Sequence, residues 1–300
     1  MSRPSSTMPI VLALCGLGCF SVMDGVMKAA STAIGPYGAM FWRNMLGALF
    51  MAPIWLRARR RAGLRGLPGV DALKLHVLRS AVAGTMAVLF FYGVVRTPLA
   101  ESIALSFLAP LIALYLAAVT LGEDVGPRAI AGSVLALGGV AVIAAGKFGG
   151  HYEPEAIKGL VAILLSAVLY AWNLVLQRRQ AQVAGPEEIA FFQTLVIFVL
   201  LGIGAWWLAP VPEAAVWGEL AISAVLSTAS LMLLGWAYAR AEAKVLVPLE
   251  YTAFLWAAVV GWVGFGEPLT WRTLAGVVLI VAGCVIAARQ GERVPAAPAP

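Results

Sequence analysis

Two stretches decide how this chain folds: Gly122-Glu123-Asp124-Val125-Gly126-Pro127-Arg128-Ala129-Ile130-Ala131-Gly132 and Gly266-Glu267-Pro268-Leu269-Thr270-Trp271-Arg272-Thr273-Leu274-Ala275-Gly276. At an offset of 144, Gly-Glu falls on Gly-Glu, Arg128 on Arg272 and Ala131-Gly132 on Ala275-Gly276. The same offset carries Val134-Leu135 onto Val278-Leu279 and Gly139 onto Gly283. Upstream the offset drifts, as small insertions would make it: Gly93 meets Gly235 at 142, Pro36 and Phe41 meet Pro186 and Phe191 at 150, and Asp24 meets Asn173 at 149. A fixed-period self-similarity of this kind marks a duplicated structural unit.

Composition says what the unit is made of. Of 300 residues, 61% are apolar and only 12% charged, against about a quarter charged in a soluble domain. A helix needs about 20 apolar residues to cross a bilayer, and ten such runs are bounded by charges, Gly and Pro. They lie at about Met8 to Ala30, Gly35 to Leu56, Leu75 to Val95, Leu99 to Thr120, Pro127 to Gly146, Ile157 to Leu176, Pro186 to Leu208, Val216 to Ala239, Val245 to Phe265 and Leu269 to Ala288. The expected fold is an all-α integral membrane protein of ten transmembrane helices, with units at 8–147 and 157–289 and a disordered tail at 290–300. Pro98, Pro127 and Pro186 stand at helix starts, where a missing N–H does no harm. Pro110 falls inside the fourth span and is expected to kink it.

Five spans per unit is an odd number, so the second unit enters the membrane from the opposite side and the repeat is inverted. Loop charges agree. With a cytoplasmic N-terminus, 14 Lys and Arg fall inside and 4 outside, which places both termini in the cytoplasm. The basic loop after the second span has as its counterpart Ala209 to Ala215, which carries Glu213 and no cation. Two similar halves of opposite topology around a central cavity are a recurring architecture of secondary transporters.

Charges inside spans are costly and mark candidates for function. Asp24 and Lys28, four apart, share a helix face and can pair, and Arg43 lies in the same half of the membrane. Asn173, Gln177, Gln193 and Glu250 fall in the other half, so that Asp24, Lys28, Arg43, Asn173 and Gln193 form a candidate gating network. Glu250 beside Tyr251 is the candidate for a substrate ammonium or a transported proton. With Tyr92, Phe107, Tyr170 and Trp236 these two make the candidate substrate lining, which suits a substrate with an apolar or aromatic part. His76 and Arg79 read as headgroup or snorkelling residues. Gly132/Gly139 and Gly276/Gly283 are seven apart on one face and read as helix-packing positions, with a homodimer through the fifth and tenth spans as the alternative.

Taken together, Pro36 followed by Phe41-Trp42-Arg43, the twice-occurring Gly-Glu, Arg, Ala-Gly element, Pro248-Leu249-Glu250-Tyr251 and the Gly-rich fifth and tenth spans resemble the EamA-type members of the drug/metabolite transporter superfamily. The resemblance runs from Met8 to Arg289 and is nearest to YddG-type bacterial amino-acid exporters. It implies a basket of spans one to four and six to nine around a central cavity, spans five and ten behind it, and export across the bacterial inner membrane by alternating access. Pro110 without a proline partner in the ninth span, and Gln193 where the first half has Arg43, depart from strict repetition.

The expected function is export of small amphipathic metabolites, neutral and aromatic amino acids first, with drugs, nucleosides or other metabolites as the alternative. An intramembrane enzyme is remote, since no HExxH or GxSxG element is present. Cys15, Cys19 and Cys284 read as small buried hydrophobes, and no Cys/His set has metal-ligand spacing. No cofactor, metal or nucleic-acid partner is expected; the partners are a small-molecule substrate and the lipid bilayer.

Overall fold

The structure, a computed structural model, describes residues 7–63, 66–109, 111–112, 115–116, 127–145, 154–238 and 249–288. Among them run ten helices: α1 (Thr7–Ile34), α2 (Pro36–Arg61), α3 (Val70–Val94), α4 (Leu99–Ser106), α5 (Pro127–Ala145), α6 (Pro154–Ala181), α7 (Pro186–Leu208), α8 (Ala214–Tyr238), α9 (Ala253–Phe265) and α10 (Trp271–Ala288). Five of them, α1, α3, α6, α7 and α8, are long and apolar enough to cross a membrane; α5, α9 and α10 carry shorter apolar stretches. The first Gly-Glu copy, Pro110, Pro248 and the 290–300 tail lie outside the described residues.

The helix starts follow local chemistry. A single residue, Gly35 at φ 78, turns α1 into α2, and Pro36 then opens the new helix where no N–H is needed. Gly185-Pro186 repeats this dipeptide at the start of α7, there with Gly185 at φ -74.

Packing joins the halves helix by helix. α1 lies on α8, α2 on α7, α3 on α6 and α5 on α10, with α4 against α9. In lipid there is little hydrophobic gain from helix association, so close approach through small residues supplies the adhesion. A Cβ on Gly139 would strike the Gly276 carbonyl and Ile280, and one on Gly283 would strike the Gly132 carbonyl and Ala136. The glycine faces of α5 and α10 are thus buried against each other within one chain. Polar bonds recur at these contacts: Ser166 Oγ on α6 donates to the Met86 carbonyl on α3 at 2.9 Å, and Ser230 Oγ on α8 to the Gly16 carbonyl on α1 at 2.8 Å.

The fourth span, in which a kink was expected, is interrupted, and the ninth differs from the continuous helix expected of it. α4 ends after eight residues at Ser106, and Phe107 and Leu108 bond back only three residues, to Ala104 and Leu105. Helical residues resume at Ala109, and the Ile112 N–H bonds the Leu108 carbonyl at 3.0 Å, so the interruption is the turn at Phe107 and Leu108. The ninth span breaks too, at residues that are not proline: Leu249 and Glu250 are helical, Tyr251 and Thr252 form a turn, and α9 starts at Ala253. Thr252 Oγ1 donates to the Leu249 carbonyl at 2.6 Å. Phe107 and Tyr251 stand 144 residues apart, the offset of the two Gly-Glu copies.

Candidate functional site

The two breaks meet. Phe107 and Tyr251 face each other edge to face at 5.2 Å between ring centres, and Cys284 Sγ on α10 donates to the Phe107 carbonyl at 3.2 Å. Interrupted backbone inside a membrane bundle is tolerated where protein or a cavity surrounds it. Paired interruptions in corresponding spans are the strongest structural pointer to a transporter's binding site.

Beside the break is a small set of buried charges. Asp24 on α1 is 2% exposed, and its Oδ2 finds no hydrogen-bond donor. The expected Asp24–Lys28 pair is not made, although helix spacing allows it. Arg43 is the opposite charge acting on Asp24, and its guanidinium donates to the Met23 sulfur at 3.4 Å. Tyr170 on α6 is subject to the charges of both Glu250 and Asp24, so the structure brings Asp24, Arg43, Tyr170 and Glu250 into one neighbourhood.

Lys28 turns instead to the second half of the chain. Its Nζ pairs with Glu267 Oε1, donates to the Thr97 carbonyl at 2.8 Å and lies 5.1 Å over the Phe265 ring. Glu267 Oε2 accepts the Leu99 N–H at 2.8 Å, putting a negative charge at the start of α4, where the helix dipole favours it. The local sequence explains how Glu267 gets there. Gly266 at φ 63 ends α9 in the left-handed conformation, which folds the chain back so that the Glu267 N–H bonds the Gly261 carbonyl at 3.1 Å. Glu267 was present in the Gly-Glu element as a repeat marker, but its role depends on a partner 239 residues away.

At the opposite end of the bundle a polar chain crosses four helices. Arg59 on α2 donates to Glu188 Oε2 at 2.7 Å, and Trp55 Nε1 reaches the same oxygen at 3.5 Å. Glu188 Oε1 contacts His76 Nε2 at 3.4 Å, and His76 Nδ1 contacts Gln180 Nε2 at 2.5 Å. Gln180 Oε1 accepts from Arg79 Nη1 at 2.6 Å, and Asn173 Oδ1 accepts from Arg79 Nε at 3.2 Å. Aromatic rings enclose it: His76 stacks on Phe192 at 4.8 Å, and Trp55 on Phe191 at 4.5 Å. His76 and Arg79 are 0% and 5% exposed, so neither snorkels to a headgroup; their polar heads point into the bundle because Gln180, Glu188 and Asn173 offer partners there. Asn173 was an expected network residue, whereas Gln180, Glu188 and Arg59 were not singled out.

Other expected residues lie elsewhere. Tyr92 sits under the Arg96 guanidinium, 3.6 Å from its ring, near the Lys28 end, and Arg96 bonds Glu155 at 2.8 Å. Trp236 and Gln193 are half-buried on α8 and α7, while Gln177 is exposed. Cys15 is exposed rather than buried, Cys19 is half-buried and Cys284 is buried, and all three are free thiols. Among the described residues no group of His, Cys, Asp and Glu could hold a metal ion.

Relatives agree with this architecture. The chain is 27% identical over 284 residues to the pseudopaline exporter CntI of Pseudomonas aeruginosa, covering 93% of this chain and 95% of that one. It is 27% identical over 180 residues to the aromatic amino acid exporter YddG of Ancylobacter novellus, covering 54% of this chain and 62% of that one. A crystal structure at 20% identity superposes with a TM-score of 0.59 over 98% of this chain and 100% of the other, a likeness of fold. The sequence model of the EamA-like transporter family matches residues 7–145 and 157–289. With both halves of a ten-helix bundle matched, the chain belongs to the EamA-like transporter family.

Proposed function

We propose that this transporter exports small amphipathic metabolites, neutral and aromatic amino acids first, across the inner membrane by alternating access of two inverted five-helix halves, with both termini in the cytoplasm. The observation that carries the reading is the pair of broken spans, which sets Phe107, Tyr251 and Glu250 beside Tyr170 and Asp24. Aromatic faces suit an apolar side chain, and the acidic groups suit its ammonium. The inverted arrangement is supported by the helix pairing. Exchanging the halves maps α1 on α8 into α6 on α3, and leaves α2 on α7, α4 on α9 and α5 on α10 unchanged.

In this mechanism the polar ties at the two ends are gates. Lys28–Glu267 joins the halves on the periplasmic side, and Arg59–Glu188 with Arg79–Asn173 joins them on the cytoplasmic side. Both are closed here. Opening one while the other holds admits water to the freed charges, which offsets the large cost of separating a buried pair. A homodimer through α5 and α10 belongs to the same proposal and would form on outward positions such as Val134, Leu137 and Val278, because the glycine faces are occupied.

Counterflow with purified protein in liposomes, using a panel of amino acids, tests the reading; exchange of Phe or Trp above protein-free liposomes is the expected result. The match to a pseudopaline exporter covers more of the chain than the match to an aromatic amino acid exporter, which favours another metabolite, such as pseudopaline, as the second reading. No counterflow for any amino acid in the panel would leave that reading in place of the first.

A further inference from the structure

Arg79 is a buried cation that forms no ion pair among the described residues. Among the described residues its hydrogen-bond partners are Asn173 and Gln180, both neutral amides. The acid at the far end of the same chain, Glu188, is separated from it by His76 and Gln180 and is already held by Arg59 at 2.7 Å. The other membrane-embedded cations are different: Lys28 pairs with Glu267, and Arg43 faces Asp24. Burying a guanidinium on amide dipoles alone is expensive, and an apolar side chain at that point of α3 would pack at lower cost. A permanent positive charge with a planar fork of donors is suited to a carboxylate, which it binds through two parallel bonds.

Position supplies the second argument. Asn173 is three residues from Tyr170 on α6, so the two side chains occupy one face a single turn apart. The charges acting on Tyr170 are those of Glu250 and Asp24. Neighbouring turns of α6 therefore carry a contact of the Arg79 cation, at Asn173, and the residue on which the two acids act, Tyr170. Opposite charges acting on one stretch of α6 suit a zwitterion, the cation for its carboxylate and the acids for its ammonium.

We propose that Arg79, framed by Asn173 and Gln180, binds the carboxylate of the transported molecule; this rests on the amino-acid reading above and assigns the anionic half of that site. In the closed conformation the two amides hold the guanidinium. An arriving carboxylate takes over those donors and thereby loosens the tie between α3 and α6, so that occupancy is coupled to release of the gate at that end.

The test compares counterflow of phenylalanine with that of phenylalaninamide, which keeps the ring and the ammonium but has a neutral amide for the carboxylate. Wild-type protein is expected to prefer phenylalanine by roughly 10- to 100-fold, the range of a hydrogen bond to a charged group. Arg79→Gln should bring that ratio towards one, with phenylalaninamide losing the smaller factor, and Arg79→Lys should give an intermediate ratio. A ratio that stays at the wild-type value in both variants, or a wild-type ratio near one, overturns the assignment while leaving amino-acid transport intact. Absence of wild-type counterflow for any amino acid instead removes the substrate reading itself, and this inference with it.

Discussion

Lys28 and Glu267 show how one pair can be hidden from a reader of the sequence. Lys28 has an acid four residues before it on its own helix, yet it bonds one 239 residues away, because the left-handed turn at Gly266 delivers Glu267 to the start of α4. With both side chains largely buried, Lys28→Met or Glu267→Gln alone should lower unfolding stability by about 3–5 kcal/mol, since each strands the other's charge or donors. The double variant should lose less than the sum of the two, as measured by thermal unfolding in detergent; additive losses would mean that the pair is not coupled. Glu250 calls for a different measurement. If it carries a proton, Glu250→Gln should abolish accumulation driven by a pH gradient while leaving part of the substrate-for-substrate exchange, because Gln hydrogen-bonds but releases no proton. If it only holds the ammonium, apparent affinity falls and the pH response stays. Glu250 stands out as a candidate by its place in an apolar run, whereas the neutral partners of Arg79 among the described residues do not: no spacing on α3 announces that two amides from α6 will meet it.

Among the elements, α5 and α10 depend most on a few positions. Gly139→Ala should push α10 away through the Gly276 carbonyl, at about 1–3 kcal/mol, the range for overpacking a fitted contact. Gly138→Ala, one residue along, meets nothing within 4 Å and should be neutral or slightly stabilising, since Ala favours helix over Gly. Melting temperatures of the two variants in the same detergent decide this; equal values would contradict the close helix contact. The seven-residue Gly spacing foretold packing in this case, because helical periodicity specifies a face. Periodicity failed for the ninth span, where an apolar run from Val245 to Phe265 reads as one helix but α9 begins only at Ala253. Apolar composition says that a segment is buried in lipid or protein, and it is silent about whether the backbone ladder runs unbroken through it. Pro110 pointed to an interruption in the fourth span; the matching turn at Tyr251 and Thr252 contains no proline, and there the Thr252 N–H and hydroxyl both bond the Leu249 carbonyl.

For the whole molecule the expected topology is checked by labelling. Cysteines at the exposed positions Ala33 and Glu213 should react with an impermeant reagent from the periplasm, and those at the exposed positions Ala62 and Gln182 only after the membrane is opened. The reverse pattern would invert the assignment of sides drawn from the 14-to-4 charge count. The sequence by itself determined that the described residues form a bundle of helices, where proline and glycine begin or turn them, and that the chain belongs to a family whose model matches it twice. These properties are carried by composition, by spacing along one helix and by self-similarity, all of them local or additive. Only the tertiary structure decided that Lys28 leaves Asp24 for Glu267, that His76 and Arg79 face inward, and that Phe107 meets Tyr251. Such pairings depend on the rotation and axial shift of one helix against another. Those are set by how small residues let backbones approach across the bundle, and no single segment records them.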